Sequence, residues 1–182
     1  KNINKIIIST DSKKFIKTIS KHNKIITSLR KKKLSSDKAL IEDVIVAEVK
    51  KHKLFDFDNL ILLQTTSPLR QTKFIDNSIK KFINSKNYLT GVSFIKLKSK
   101  VKNLFTITTE GKVNKIIKNS KFFNNETYFP SGDIYISKVK FFMKNKTFFS
   151  KNIFPFFSKN YSDIDTLSDF KLAELKKKNY VL

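Results

Sequence analysis

Apolar positions along this 182-residue chain alternate between two periods, and the alternation predicts strands and helices in turn. An apolar run at residues 5–9 reads as a buried strand. Asp11 or Ser12 can cap the helix behind it, with Phe15, Ile16 and Ile19 on its apolar face, and capping is the first role expected of Asp11. A short strand at Ile25-Ile26 leads into a polar loop from Arg30 to Ser36, and the next helix turns Leu40, Ile41, Val44, Ile45 and Val49 inward. Residues 60–63 form a continuous apolar run, which suits a strand covered on both faces. Beyond the polar stretch 64–70 the helical period returns with Phe74, Ile75, Ile79, Phe82 and Ile83. A strand at 89–94 and a hairpin, 104–108 with 112–117 around Glu110-Gly111, follow. This order predicts the α/β class: a Rossmann-like domain over residues 1–182 with a mixed, mostly parallel sheet and helices on both faces.

Composition narrows the class. The chain is long enough, at 40% hydrophobic content, for one domain with a proper core. No apolar run approaches the roughly 20 residues that cross a bilayer, and the start Lys1-Asn2-Ile3-Asn4 has no apolar signal segment. A cytoplasmic protein without a membrane partner is expected. Absence of cysteine excludes disulfides and thiolate ligands, and His22 and His52, both in lysine-rich helical segments and expected at the surface, are too few for a histidine-rich metal site. Any metal then rests on carboxylates, which points to Mg²⁺.

A formal charge of +23 ordinarily raises nucleic-acid binding first. Here the lysines are spread from Lys1 to Lys178 without an aromatic-interleaved basic motif, and they accompany 18 Phe and only 3 Gly. That is whole-sequence drift of the kind an A/T-rich genome produces, so a solvated lysine surface is expected rather than a nucleic-acid groove. Arg30 and Arg70 are the two arginines among 38 basic residues, and a guanidinium kept where lysine serves elsewhere implies that its fork geometry matters.

Two segments carry candidate chemistry. Gln64, Thr65, Thr66 and Ser67 set donors and acceptors just beyond a strand end, where α/β folds place their sites, with Pro68 stiffening the backbone and Arg70 adding a fork for carboxylate or phosphate. In Asp163-Ile164-Asp165, extended backbone points both carboxylates to one face, where they can share a cation. Thr166 then caps a helix, with Asp169 as its capping-box acid and Leu172, Ala173 and Leu175 behind. The aromatic cluster Phe141-Phe142-Met143 with Phe148-Phe149 reads equally as core or as an exposed partner surface.

Residues 60–70, Leu-Ile-Leu-Leu-Gln-Thr-Thr-Ser-Pro-Leu-Arg, resemble the L-L-Q-P-T-S-P-L-R segment of the acylneuraminate cytidylyltransferases, with Thr65 where proline is usual. Four further segments match in family order. Residues 6–12 are similar to I-V-S-T-D-S, 29–37 to L-R-P-x-x-L-A-x-D, 130–136 to P-N-G-A-I-Y-I, and 162–170 to S-I-D-I-D-T-E-x-D-F. The resemblance implies a nucleotide-diphospho-sugar transferase fold with a small dimerisation element and a homodimer. It also implies transfer of CMP from CTP to an acidic nonulosonic sugar of the sialic, legionaminic or pseudaminic type.

By the same resemblance, Arg30, Asp37 and Ala39 belong to the cytidine pocket. Gln64, Thr66, Ser67, Lys102, Ser131 and Gly132 face the sugar, and Phe148 and Phe149 reach the partner's sugar pocket. Asp163 and Asp165 hold Mg²⁺, and Asp165 and Arg70 are the catalytic pair. The family has an arginine where Phe129 stands, and Asp133 follows the glycine; both changes are expected to weaken anion binding. Leu40 and Ile41 replace small polar residues beside the cytidine loop. The family also opens with a strand, a phosphate loop of the type L-A-R-x-G-S-K-G and a helix, so the chain is expected to be an N-terminally truncated form lacking all three. Two other readings stay open: a sister cytidylyltransferase for a different acid sugar, and a non-catalytic lysine-rich remnant that binds polyanions.

Overall fold

A computed structural model describes residues 3–98, 104–115, 126–159 and 162–179. They gather into two compact units, one of residues 1–60 with 138–147 and one of 61–137 with 148–182.

In the first unit, β1 (Ile6–Thr10) and β2 (Ile25–Leu29) run parallel, from Ile6 opposite Ile25 to Thr10 opposite Leu29. Parallel strands need a crossover, and α1 (Lys13–Thr18) supplies it. Its cap is Ser12, whose Oγ accepts the Phe15 amide at 3.1 Å; Asp11 is exposed and is not the cap. Six residues are too few to bury a stripe, and Phe15, expected inside, is exposed. The second helix, α2 (Ile41–Lys51), begins one residue later than its pattern predicts. Leu40 is therefore the N-cap and lies in solvent at 63% exposure, while Val44, Ile45 and Val49 are buried as expected.

That stripe also carries Glu48 inside. Its Oε1 accepts from the hydroxyls of Ser9 at 2.7 Å and Ser28 at 2.9 Å, and Lys51 Nζ donates to Ser28 Oγ at 2.7 Å. His52, expected at the surface, is largely covered, because its i,i+4 spacing brings Nε2 to 3.3 Å from Glu48 Oε2. The helix α4 (Val139–Asn145) buries Val139 and Phe142, and the Val139 amide donates to the Asp58 carbonyl at 3.1 Å.

The larger sheet has the order β3 (Asn59–Leu62), β7 (Tyr128–Lys138), β4 (Thr90–Lys96), β8 (Ile153–Phe157). It is mixed: β4 runs antiparallel to β7 and parallel to β8. The apolar run of β3 is half-buried rather than sealed on both faces, and Leu63 is exposed. Period-two reasoning overlooked β7, an eleven-residue strand whose polar positions are buried along with its apolar ones. In the second unit, α3 (Thr72–Asn84) buries Ser78, Ile79 and Phe82 and leaves Ile83 out. The hairpin forms as β5 (Phe105–Ile107) and β6 (Val113–Lys115), with Gly111 in the positive-φ turn position.

The last helix, α5 (Leu167–Asn179), has the expected capping box: Asp169 Oδ2 accepts from the Thr166 amide at 2.8 Å and hydroxyl at 2.7 Å, and the Asp169 amide donates to Thr166 Oγ1 at 3.2 Å. Its inward face is narrower than predicted. Ala173 is buried, whereas Leu172 and Leu175 are exposed. The aromatic cluster also divides. Phe142 and Phe148 are core residues rather than an exposed patch, and Phe149 remains 52% exposed.

Two outcomes follow from this packing. A Cβ on Gly91 would sit 2.8 Å from Phe156 Cε2 and 3.0 Å from Phe82 Cδ2, where α3 closes on β4 and β8. Gly91→Ala is expected to cost about 1–3 kcal/mol, read from the shift in denaturant midpoint. Separately, hydrogen bonds from the Thr166 hydroxyl and amide, and from the Asp165 amide, hold the Asp169 carboxyl below its ordinary value against slight desolvation. A carboxyl lower in the folded than the unfolded state stabilises above the unfolded pKa and stops doing so as pH falls through the folded one. With the intrinsic exchange rates divided out, the protection factors of the first-turn amides of α5 should therefore fall on acidification through that window, and Asp169→Asn should remove that fall.

Candidate active site

The site starts from an interruption in the pairing of β4 with β7. Val92 stands opposite Tyr135 and Phe94 opposite Pro130, so Ser93 alone faces the arch Ser131, Gly132, Asp133 and Ile134. Such an arch leaves ladder groups unpaired, and Ser93 compensates: its Oγ accepts the Ile134 amide at 3.0 Å and lies 2.9 Å from Ser131 Oγ. Ser131 Oγ in turn donates to Asp133 Oδ2 at 2.9 Å. At the apex, Gly132 has φ +76°, and a Cβ there would meet Ser67 Oγ at 2.8 Å and Gln64 Oε1 at 2.9 Å. Only glycine combines that backbone with that approach.

The structure thus brings Gln64, Ser67, Ser131 and Gly132 together. A turn, closed by the Ser67 amide on the Gln64 carbonyl at 3.3 Å, buries Ser67 fully, and its hydroxyl donates to the Ser131 carbonyl at 3.4 Å. Thr66 joins the Asp163-Asp165 segment to the same loop, its carbonyl accepting the Ile164 amide at 2.9 Å. Arg70 Nε donates to the Ser67 carbonyl at 2.7 Å, which fixes the loop's far end. Burial pushes the Arg70 pKa down, and the charge of Asp133 opposes that fall.

Asp133 is 1% exposed and turned into the serine network. Its Oδ1 is buried with no hydrogen-bond partner among the described residues. Motif matching passed over Ser93, yet a serine inside an apolar strand opposite a Ser-Gly-Asp sequence was the available signal.

Next to the loop, Ser162, Asp163, Asp165, Asp169, Leu172, Ala173 and Lys176 line a cavity of about 210 Å³. Asp163 and Asp165 share it while Ile164 does not, as the period of two predicts. Asp169 Oδ2 is occupied by the helix cap. Among the described residues no three His, Cys, Asp or Glu side chains are grouped to hold a metal, so the protein side offers a carboxylate pair. Two carboxylates completed by outside oxygens suit a hard divalent cation. Lys176 was also missed; it lies two helical turns beyond Asp169 and so on the same face.

The other predicted residues are described each in its own unit. In the first unit, Arg30 Nη2 donates to the Ser9 carbonyl at 3.0 Å and its Nε is buried without a partner, while Asp37 is exposed and the Ala39 amide donates to the Ser36 carbonyl at 2.9 Å. Phe148 is buried with its ring 5.3 Å from that of Tyr135, so it presents no face to a ligand. Lys102 lies outside the described residues.

The chain is 29% identical over 174 residues to an N-acylneuraminate cytidylyltransferase of Streptococcus agalactiae serotype V, covering 91% of this chain and 40% of that one. It is 29% identical to the CMP-N,N'-diacetyllegionaminic acid synthase of Legionella pneumophila, covering 93% of this chain and 76% of the relative. The chain therefore spans less than half of the streptococcal relative and about three quarters of the Legionella one. Among solved structures, a CMP:2-keto-3-deoxy-manno-octonic acid synthetase complexed with CTP superposes with a TM-score of 0.62 at 11% identity, over 97% of this chain and 81% of the other. A 2-C-methyl-D-erythritol 4-phosphate cytidylyltransferase from Francisella tularensis gives 0.64 at 12%, over 95% and 80%. These likenesses show a Rossmann-like α/β fold. The family model described as Cytidylyltransferase matches residues 1–181, and the chain belongs to that family.

Proposed function

We propose that the protein activates an acidic nonulosonic sugar with CTP, giving the CMP-sugar and pyrophosphate. The observation that carries this reading is the junction of three segments: the Gln64–Ser67 turn, the Ser131–Gly132 arch and the Asp163/Asp165 pair, tied by the Ile164 amide on the Thr66 carbonyl. The named relatives, which include cytidylyltransferases for acylneuraminate and for diacetyllegionaminic acid, supply the substrate class. The anomeric hydroxyl forms a bond to the α-phosphorus, the bond from that phosphorus to the bridging oxygen breaks, and pyrophosphate leaves.

In this reading Gln64, Thr66, Ser67, Ser131 and Gly132 orient the sugar, and rigid mutual packing holds that geometry. Asp163 and Asp165 would hold Mg²⁺, which when bound neutralises triphosphate charge. Asp165, exposed on the cavity, accepts the proton of the attacking hydroxyl. Arg70 positions the turn through the Ser67 carbonyl. Arg30, Asp37 and Ala39 are assigned to cytidine. Of the two phenylalanines, Phe149 is the one exposed to serve a partner subunit's sugar in a homodimer. Among the described residues no helix is long and apolar enough to cross a membrane, and a cytoplasmic location is part of the proposal.

The full-length gene product is expected to consume CTP in preference to ATP, GTP and UTP and to release pyrophosphate only with a nonulosonic acid present. Equal turnover of all four nucleotides would overturn the assignment. Asp163→Asn and Asp165→Asn should each lower kcat by about 10²-fold or more with the thermal midpoint nearly unchanged. Full activity in both variants would leave these acids with only a structural role beside α5.

A further inference from the structure

We infer a second anion site, on the far side of Arg70 from the Ser67 carbonyl, that takes a carboxylate carried on an apolar body. A cavity of about 140 Å³ there is lined by Arg70, Gln71, Phe74, Phe157, Ser158 and Lys159, where the start of α3 meets the end of β8. Arg70 spends only Nε on the protein: among the described residues its two Nη groups have no hydrogen-bond or ion-pair partner. Asp133 is buried and acts on its charge without pairing with it. The scaffold thus holds the guanidinium partly out of water, anchors one edge, and leaves the other edge to meet two oxygens side by side.

The remaining walls set the ligand class. Lys159 is exposed and unpaired among the described residues, so it adds a second cation at the rim. Phe74 is half-buried and Phe157 is 59% exposed, so aromatic surface flanks the charges, and covering it favours a ligand with an apolar or flat body over a bare ion. Gln71, the N-cap of α3, makes no side-chain capping bond and is available to the same ligand. Because Arg70 also holds the Ser67 carbonyl, the state of this pocket is felt by the Gln64–Ser67 turn.

The test is direct binding without nucleotide and with divalent metal chelated, so it is independent of the transferase reading. The protein is titrated at physiological ionic strength with benzoate and, separately, with inorganic phosphate. NMR follows the Arg70 Nε–Hε signal and the Phe74 and Phe157 ring signals. Saturable shifts at these groups are expected with benzoate. Lys159→Gln should weaken them about threefold, and Arg70→Lys about tenfold. Lys159 is a surface residue, so its variant tests the site even if Arg70→Lys unfolds. Tighter phosphate than benzoate binding at the same signals would overturn the assignment of a carboxylate on an apolar body. Lys14→Gln, on the exposed surface of α1, is the control. If it weakens binding as much as Lys159→Gln, or if neither ligand moves the Arg70 signal, the pocket is no site and only the diffuse field of a +23 chain is acting.

Discussion

The arrangement of the second unit depends on one mismatch in a ladder: Ser93 on one strand against Ser131, Gly132, Asp133 and Ile134 on the other. A bulge of that size exposes backbone donors inside a sheet, and a buried unpaired amide costs about as much as a lost hydrogen bond. The cost is contained because Ser93 takes the Ile134 amide and engages Ser131. With the strand free to arch, Gly132 presses on Gln64 and Ser67, Ser67 is sealed from solvent, and the loop acquires a fixed position over the Asp163/Asp165 segment. Each contact follows from the previous one. A side chain at position 132 would push the turn away, and the carboxylate pair would lose the neighbour whose carbonyl holds its backbone.

How much of this was legible depended on the range of the forces involved. Period and capping are local, so the helix cores at Val44, Ile45 and Val49 and at Ile79 and Phe82, the Gly111 hairpin and the Thr166/Asp169 cap were readable from neighbours along the chain. Register is not local. The eleven-residue β7 hid behind buried serines and an aspartate, because binary patterning counts those residues as surface and cannot see that Ser93, 41 residues before Ile134, satisfies its amide. Leu40 and His52 failed for a related reason: a one-residue shift in helix start rotates a residue out of the stripe, and an i,i+4 carboxylate draws a histidine under cover. In the candidate site the motif residues Gln64, Ser67, Ser131, Gly132, Asp163 and Asp165 were named in advance, while Ser93, Lys176 and the burial of Asp133 required the fold.

Phe148 and Phe149 show the same limit at single-residue scale. The paired aromatic motif divides into one buried ring and one exposed ring. The Tyr135 ring lies 5.3 Å from that of Phe148 and 6.5 Å from that of Phe149. Any role for this pair at a partner surface falls on Phe149.

The two arginines make the strongest case that composition and structure constrain each other. In a chain whose other basic residues are lysines, Arg30 and Arg70 each donate to a backbone carbonyl near the end of a strand: Nη2 to Ser9 at the tip of β1, Nε to Ser67 in the turn after β3. A lysine ammonium can reach such a carbonyl, but it is a single point that turns its whole charge toward that oxygen. A guanidinium has five donors on a rigid plane, so it can give one to the scaffold and keep others aimed elsewhere. Drift toward lysine is tolerated on a solvated surface, where charge alone counts. A guanidinium suits a position where one side chain must hold the backbone and still present a second hydrogen-bonding edge, and Arg70 occupies such a position.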